Sequence, residues 1–165
     1  MRLKKLNMNT VQPVVIDEVK TGLDLIAQHP DVLEIEWFET QKQKLTRATR
    51  SGLVLELRLP LKKEWQQGDA LYSNGQLTAA ITIKTCLTIC FPVKNDREAA
   101  DFCYFIGNQH LPVFLVSGQQ FAVPYDGRLY EQLSTRYGGR IELKDSQLLS
   151  TQSLRHLAKN KAYEH

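Results

Sequence analysis

The sequence predicts an α+β protein, with a β-rich first half and a second half in which strands and helices alternate. Three observations predict it. Apolar residues recur at every second position over Leu53–Leu61 and again over Leu77–Phe91, the period of half-buried strands. Asn74-Gly75 stands between two such runs, the strongest short-range hairpin signal. Near Asn95 the apolar spacing changes from two to three or four, the helical period.

Taken in order, the elements are these. Residues 17–30 carry Val19, Leu23 and Ile26 at helical spacing, which predicts one short helix. No useful helix follows between about Glu34 and Gly75. Leu53, Leu55, Leu57, Leu59 and Leu61 alternate with Val54, Glu56, Arg58 and Pro60, and Ser51-Gly52 marks the turn before them. Gly68-Asp69 marks another turn. Beyond Asn74-Gly75, residues Leu77, Ala79, Ile81, Ile83, Leu87, Ile89 and Phe91 all fall on odd positions. That run is too long for one ordinary strand, so it is read as two, broken near Lys84-Thr85, where the domain boundary is placed.

After the boundary, Asn95 with Glu98 three places on offers a helix cap. Ala99, Phe102, Cys103 and Ile106 give the helix its apolar face, Gly107 is expected at its left-handed stop, and Pro112 forbids continuation. Val113–Val116 reads as a strand, Ser117-Gly118 as a turn, and Phe121–Val123 as another strand. Asp126 caps a second helix with Leu129, Tyr130, Leu133 and Tyr137 inside and Gly138-Gly139 at its end. Ile141–Leu143 is the last strand. The order β-α-β-β-α-β is the ferredoxin-like, split βαβ arrangement. The expected organisation is a β-rich domain over 1–84, a ferredoxin-like domain over 85–147 and a flexible tail over 148–165. Leu154, Leu157 and Ala158 line one face of a short tail helix, marginal without a partner surface.

Bulk properties narrow the function classes. Of the 165 residues, 42% are hydrophobic and 24% charged, as in soluble globular proteins. No apolar run approaches the roughly 18 residues of a membrane span. The basic start Met1-Arg2-Leu3-Lys4-Lys5 is followed by no apolar segment, so a cytoplasmic protein without a membrane partner is expected. A net charge of +3 is low for a committed nucleic-acid binder, and Lys42, Lys44, Arg47 and Arg50 read as a solvated strand face. Cys86, Cys90 and Cys103 form no CxxC pair and read as packed residues of a reducing compartment. No Ser/His/Asp set, P-loop or dinucleotide loop is present, so no enzyme and no catalytic residue is expected.

The informative stretch is Gly107-Asn108-Gln109-His110-Leu111-Pro112. It lies between a helix stop and a strand start, as a loop held at both ends. The imidazole of His110 suits nickel, copper or zinc. This Gly-Asn-x-His-x-Pro element resembles the GNRH-type motif of the urease accessory protein UreE family. The similarity extends to Leu33–Glu39 with its Trp37-x-Glu39 element, to Thr46, Gly52, Leu59-Pro60 and Gly68-Asp69-Ala70-Leu71, and to the helix after Asp126. It covers roughly residues 31–147.

The resemblance implies a nickel metallochaperone of urease maturation, with a protein-interaction domain over 1–84 and a metal-binding domain over 85–147. It implies a homodimer with His110 of each chain at the two-fold axis, where one loop per chain supplies two ligands. It also implies the urease accessory GTPase and the apo-urease complex as partners. Three departures stand out. Gln109 replaces the family's usual arginine, Val123–Gly127 holds none of the histidines that some members carry there, and the tail has only His156 and His165 in place of a His-rich store. Those two are candidate additional ligands, since His156 lies about 13 residues beyond the last strand, enough to span roughly 40 Å when extended. His29 reads as a turn residue. Two alternatives are an RNA-binding ferredoxin-like domain using strand aromatics such as Phe121 and a metal-free protein-interaction adaptor.

Overall fold

Short strands organise the N-terminal half, most of them facing their apolar residues inward. The computed structural model describes residues 11–58 and 63–161. The chain divides into two compact units, one taking in the chain up to Glu34 with Gln41–Thr82, the other Ile35–Thr40 with the chain from Ile83 onward.

The first unit contains β1 (Val14–Val15), β2 (Glu18–Lys20), all but the last residue of β3 (Asp31–Ile35), β4 (Lys44–Ala48), β5 (Val54–Arg58), β6 (Ala70–Ser73) and all but the last residue of β7 (Gln76–Ile83). They form two sheets, in the orders β1-β5-β4 and β2-β6-β7-β3. In β5 the predicted alternation holds: Leu55 and Leu57 are buried while Val54 and Glu56 are half-buried. Its expected continuation through Leu59 and Leu61 lies outside the described residues. Asn74 and Gly75 join β6 to β7 with φ of 50° and 75°, the two left-handed residues that a two-residue hairpin matching the strand twist requires. Trp65 is fully buried and satisfies its indole by donating to the carbonyl of Lys42 at 2.8 Å.

The short helix expected over residues 17–30 is not found. Val19 instead pairs with Leu71 in β2–β6, and only a single tight turn, Ile26–Gln28, is helical. Gly22, at φ 77°, breaks the run after β2, and Ile26 faces solvent. A ladder to a distant strand overrides weak local spacing.

The second unit follows the order β8 (Thr85–Pro92), α1 (Asp96–Gly107), β9 (Phe114–Ser117), β10 (Gln120–Pro124), α2 (Gly127–Tyr137), β11 (Glu142–Gln147) and α3 (Leu154–Lys161). Lys84 is the break between β7 and β8. The sheet runs β11-β8-β10-β9, with every neighbouring pair antiparallel. One face of the sheet, with Ile89, Phe91, Phe121 and Val123, shares a core with Phe102 and Ile106 of α1 and with Leu129 and Leu133 of α2. Phe121 is stacked on Phe102 with ring centroids 5.9 Å apart. The aromatic that base stacking would have used is thus committed to the core.

The other face carries Cys90, Phe114 and Ala122, and it is covered by Leu148, with Trp37 and Cys86 packed alongside. Here the structure differs from the sequence reading of a mobile tail from Leu148 onward. Leu148 is fully buried, Ser153 forms an antiparallel bridge with Phe114, and Leu154 packs against the core beneath the helices. The start of the tail helix, at Leu154, has a partner surface that the sequence did not reveal. Among the described residues no helix is long and apolar enough to cross a membrane.

Candidate metal-binding loop

The loop bearing His110 is built by the way α1 begins and ends. At its start the Asn95 side chain accepts from the Glu98 amide at 3.0 Å, as the cap pattern predicts. The Glu98 carboxylate reaches back to the amide of Lys94, at 2.8 Å, in place of Asn95. Phe102 and Ile106 are buried on the inner face, whereas Tyr104 points outward and is 72% exposed.

The helix end departs from expectation. Gly107 is not the left-handed residue: His110 is, at φ 57°. The amide of His110 donates to the carbonyl of Gly107 at 2.9 Å, and that of Leu111 donates to the carbonyl of Ile106 at 3.4 Å. These two bonds, spanning three and five residues, form the Schellman motif with His110 in the position that glycine usually takes. The left-handed region is unfavourable for residues with a Cβ, although Asn, Asp and His enter it more often than others. Gly107 lies within α1 with open space where a Cβ would stand, so the turn does not need a glycine there.

The result is an imidazole carried on a fixed turn and open to solvent. Asn108, Gln109 and His110 are all exposed. Next to His110 in the chain Leu111 is 37% exposed, and Tyr104 is exposed on the last turns of α1, apolar surface that sequence reasoning did not single out. Beyond Pro112 the chain returns to the interior at Val113, which is buried in the same core as Ile106.

The other sequence-predicted ligands fall differently. His156 is half-buried in the first turn of α3, and its amide donates to the Ser153 carbonyl at 3.0 Å. The preceding Leu154 amide donates to the carbonyl of Val113 at 2.9 Å. The segment carrying His156 is therefore fastened three residues beyond His110. His165 lies outside the described residues. His29 is an exposed turn residue with φ 40°.

Among the described residues no group of three or more His, Cys, Asp or Glu side chains is arranged to hold a metal ion. The donor this loop offers from a single chain is the His110 imidazole, a borderline ligand suited to nickel, copper and zinc. Cys86 and Cys103 offer little thiolate. Burial pushes the Cys86 thiol up, with Glu36 and Asp145 adding repulsion, and burial alone raises Cys103.

No family model matches the chain. Curated proteins do. The urease accessory protein UreE of Actinobacillus pleuropneumoniae is 31% identical over 157 residues, covering 88% of this chain and 82% of that protein. Its namesake in Acetivibrio thermocellus is 31% identical over 111 residues, covering 67% and 72%. That of Flavobacterium johnsoniae is 30% identical over 127 residues, covering 73% and 75%. With identity at this level sustained over most of both chains, and with His110 held out on a turn at the end of α1, the chain belongs to the urease accessory protein UreE family.

Proposed function

We propose that the chain is a non-enzymatic metallochaperone that carries nickel during urease maturation. Two copies hold the ion between them through His110 of each chain. The observation that carries this reading is the exposed His110 imidazole, set at the left-handed position of a Schellman turn. A turn closed by two backbone bonds fixes the direction of a ligand without burying it. An isologous interface through this loop brings the same residue to the axis twice, and the apolar flank of Tyr104 and Leu111 is surface that such an interface covers. Two imidazoles leave coordination positions open, which suits a protein that must release its cargo. Zinc and copper suit the same donors.

The second unit is read as ferredoxin-like. Its β-α-β-β-α-β order and its sheet, in which the first strand lies between the fourth and the third, support this. In this reading the β-rich region up to residue 84 meets protein partners, residues 85–147 carry the metal loop, and His156 and His165 are supplementary ligands. The partners are a second copy, the urease accessory GTPase and, through it, the apo-urease complex, in the cytoplasm.

The test is calorimetric titration with nickel, with assembly state followed by sedimentation. Wild type should bind about one nickel per dimer. Affinity should fall on acidification, because imidazole ligands bind metal in their neutral form. His110→Ala should abolish this site and leave the fold intact, since surface-loop substitutions typically change stability by ~0.5 kcal/mol or less. A His110→Ala dimer that binds nickel like wild type would overturn the assignment. A monomer binding one nickel per chain would keep the ligand and discard the two-fold site.

A further inference from the structure

We propose that Ser153 and Leu154 are positioning residues of the His110 loop: they fasten its far end, so that the imidazole is presented from a turn fixed on both sides. This rests on the reading of His110 as a metal ligand. The near end is held by the two bonds that close α1 onto His110 and Leu111. The far end has no such closure of its own. The ladder between β9 and β10 begins at Phe114, and β9 is the edge strand of its sheet. The carbonyl of Val113 lies before that ladder, and its partner is the amide of Leu154 at 2.9 Å. One residue on, Phe114 is bridged by Ser153. The Leu154 side chain packs against the core that holds both Ile106 and Val113, the residues from which the loop leaves and to which it returns.

Ser153 couples this fastening to α3. Its hydroxyl and its carbonyl both accept from the His156 amide, at 3.2 and 3.0 Å, and the carbonyl also accepts from Leu157 at 3.0 Å. The residue that starts the helix is thus the one that bridges β9. A ligand loop fastened at one end must be ordered when metal binds, and that ordering opposes binding. With both ends fastened the ordering is already complete.

The geometry supplies a selective probe. Leu154 is the first residue of α3, where proline is tolerated because the amide makes no intrahelical bond. Ser153, at φ −68° and ψ 138°, already has the backbone that precedes a proline. Leu154→Pro therefore removes the donor to Val113, together with the leucine packing, while α3 is kept. Leu154→Ala removes packing but keeps the donor, and Leu154→Ile keeps both.

Hydrogen exchange of the full chain without metal reads the loop directly, and nickel titration reads its consequence. Leu154→Pro should speed exchange at the amides of His110, Leu111, Val113 and Phe114 by about tenfold or more, with β8 unchanged. It should also weaken nickel binding about tenfold, with Leu154→Ala intermediate and Leu154→Ile like wild type. His156→Ala should leave loop exchange as in wild type. Unchanged loop exchange in Leu154→Pro would overturn the fastening. Faster exchange with unchanged nickel affinity would overturn the positioning role. If Leu154→Pro does not fold, Leu154→Ala against Leu154→Ile decides by the same two readouts. Wild-type nickel binding by His110→Ala would instead remove the ligand reading while leaving the exchange result standing.

Discussion

The amide of Leu111 reaches back past His110 to the carbonyl of Ile106, at 3.4 Å. In closing that turn it leaves His110 in the left-handed region at φ 57°. Such a backbone costs an L-residue about 1–2 kcal/mol relative to glycine, which has no Cβ to clash. His110→Gly should therefore be more stable than His110→Ala by ~1 kcal/mol, less the extra entropy of glycine in the unfolded chain. Both should lose nickel. Urea denaturation of the two variants checks this: an alanine variant as stable as the glycine variant would mean the turn is not strained.

Leu148 lies fully buried against Cys90, Phe114 and Ala122. Leu148→Ala should destabilise the protein by ~2–5 kcal/mol, the range for leucine truncation in a packed core. A change within ~0.5 kcal/mol in denaturant unfolding is what a solvated tail residue would give. It would mean the segment is not packed on the sheet in solution.

Glu98 is held by Arg140 through contacts of 2.6 and 2.9 Å and by the amide of Lys94 at 2.8 Å. Those bonds, the Arg140 pair first, lower its carboxyl from 4.5 to about 2. A depressed carboxyl stabilises the fold above its unfolded value and loses that contribution as pH falls from about 4.5 towards 2. Glu98→Gln should accordingly show a shallower loss of stability over this window than wild type. Parallel acid profiles for the two proteins would show that the pair contributes nothing in water.

Tyr137 has its ring centroid 4.3 Å from that of Phe91 and donates its hydroxyl to Asp101 at 2.6 Å. Burial first, and that hydrogen bond second, push its phenol from 10 up to about 12. A raised acid leaves its stabilisation intact below about 10, and the contribution fades as pH climbs through about 12. Ultraviolet titration should show one tyrosine ionising late, and Tyr137→Phe should remove that step. Native protein without a late-ionising tyrosine would contradict the half-buried, hydrogen-bonded phenol.

What could be read from the sequence was what short-range chemistry decides. Asn74-Gly75, the break at Lys84, the Asn95 cap and the Asp126 cap, which accepts from the Leu129 amide at 2.9 Å, each depend on residues within a few positions. The β-rich first half and the mixed second half followed from apolar period. His110 was legible as a candidate ligand, but its backbone was not, because Gly107 drew the helix stop to itself. Ile106 and Leu111 were the better guide, since this turn is framed by apolar residues five apart, whereas a stop at Gly107 would have set polar Asn108 in that frame. The β2 strand and the fastening of Leu154 to Val113 depend on partners far along the chain, which local spacing does not carry.

Ser153 covers part of the outer edge of β9. A chain ending before it would leave that edge as an open row of backbone donors and acceptors, a template for another strand. Shortened chains can then associate through bare backbone, with no ion involved. The length of the protein put into an assembly measurement thus selects which kind of self-association is observed, and only chains that keep Ser153 report on the metal loop alone.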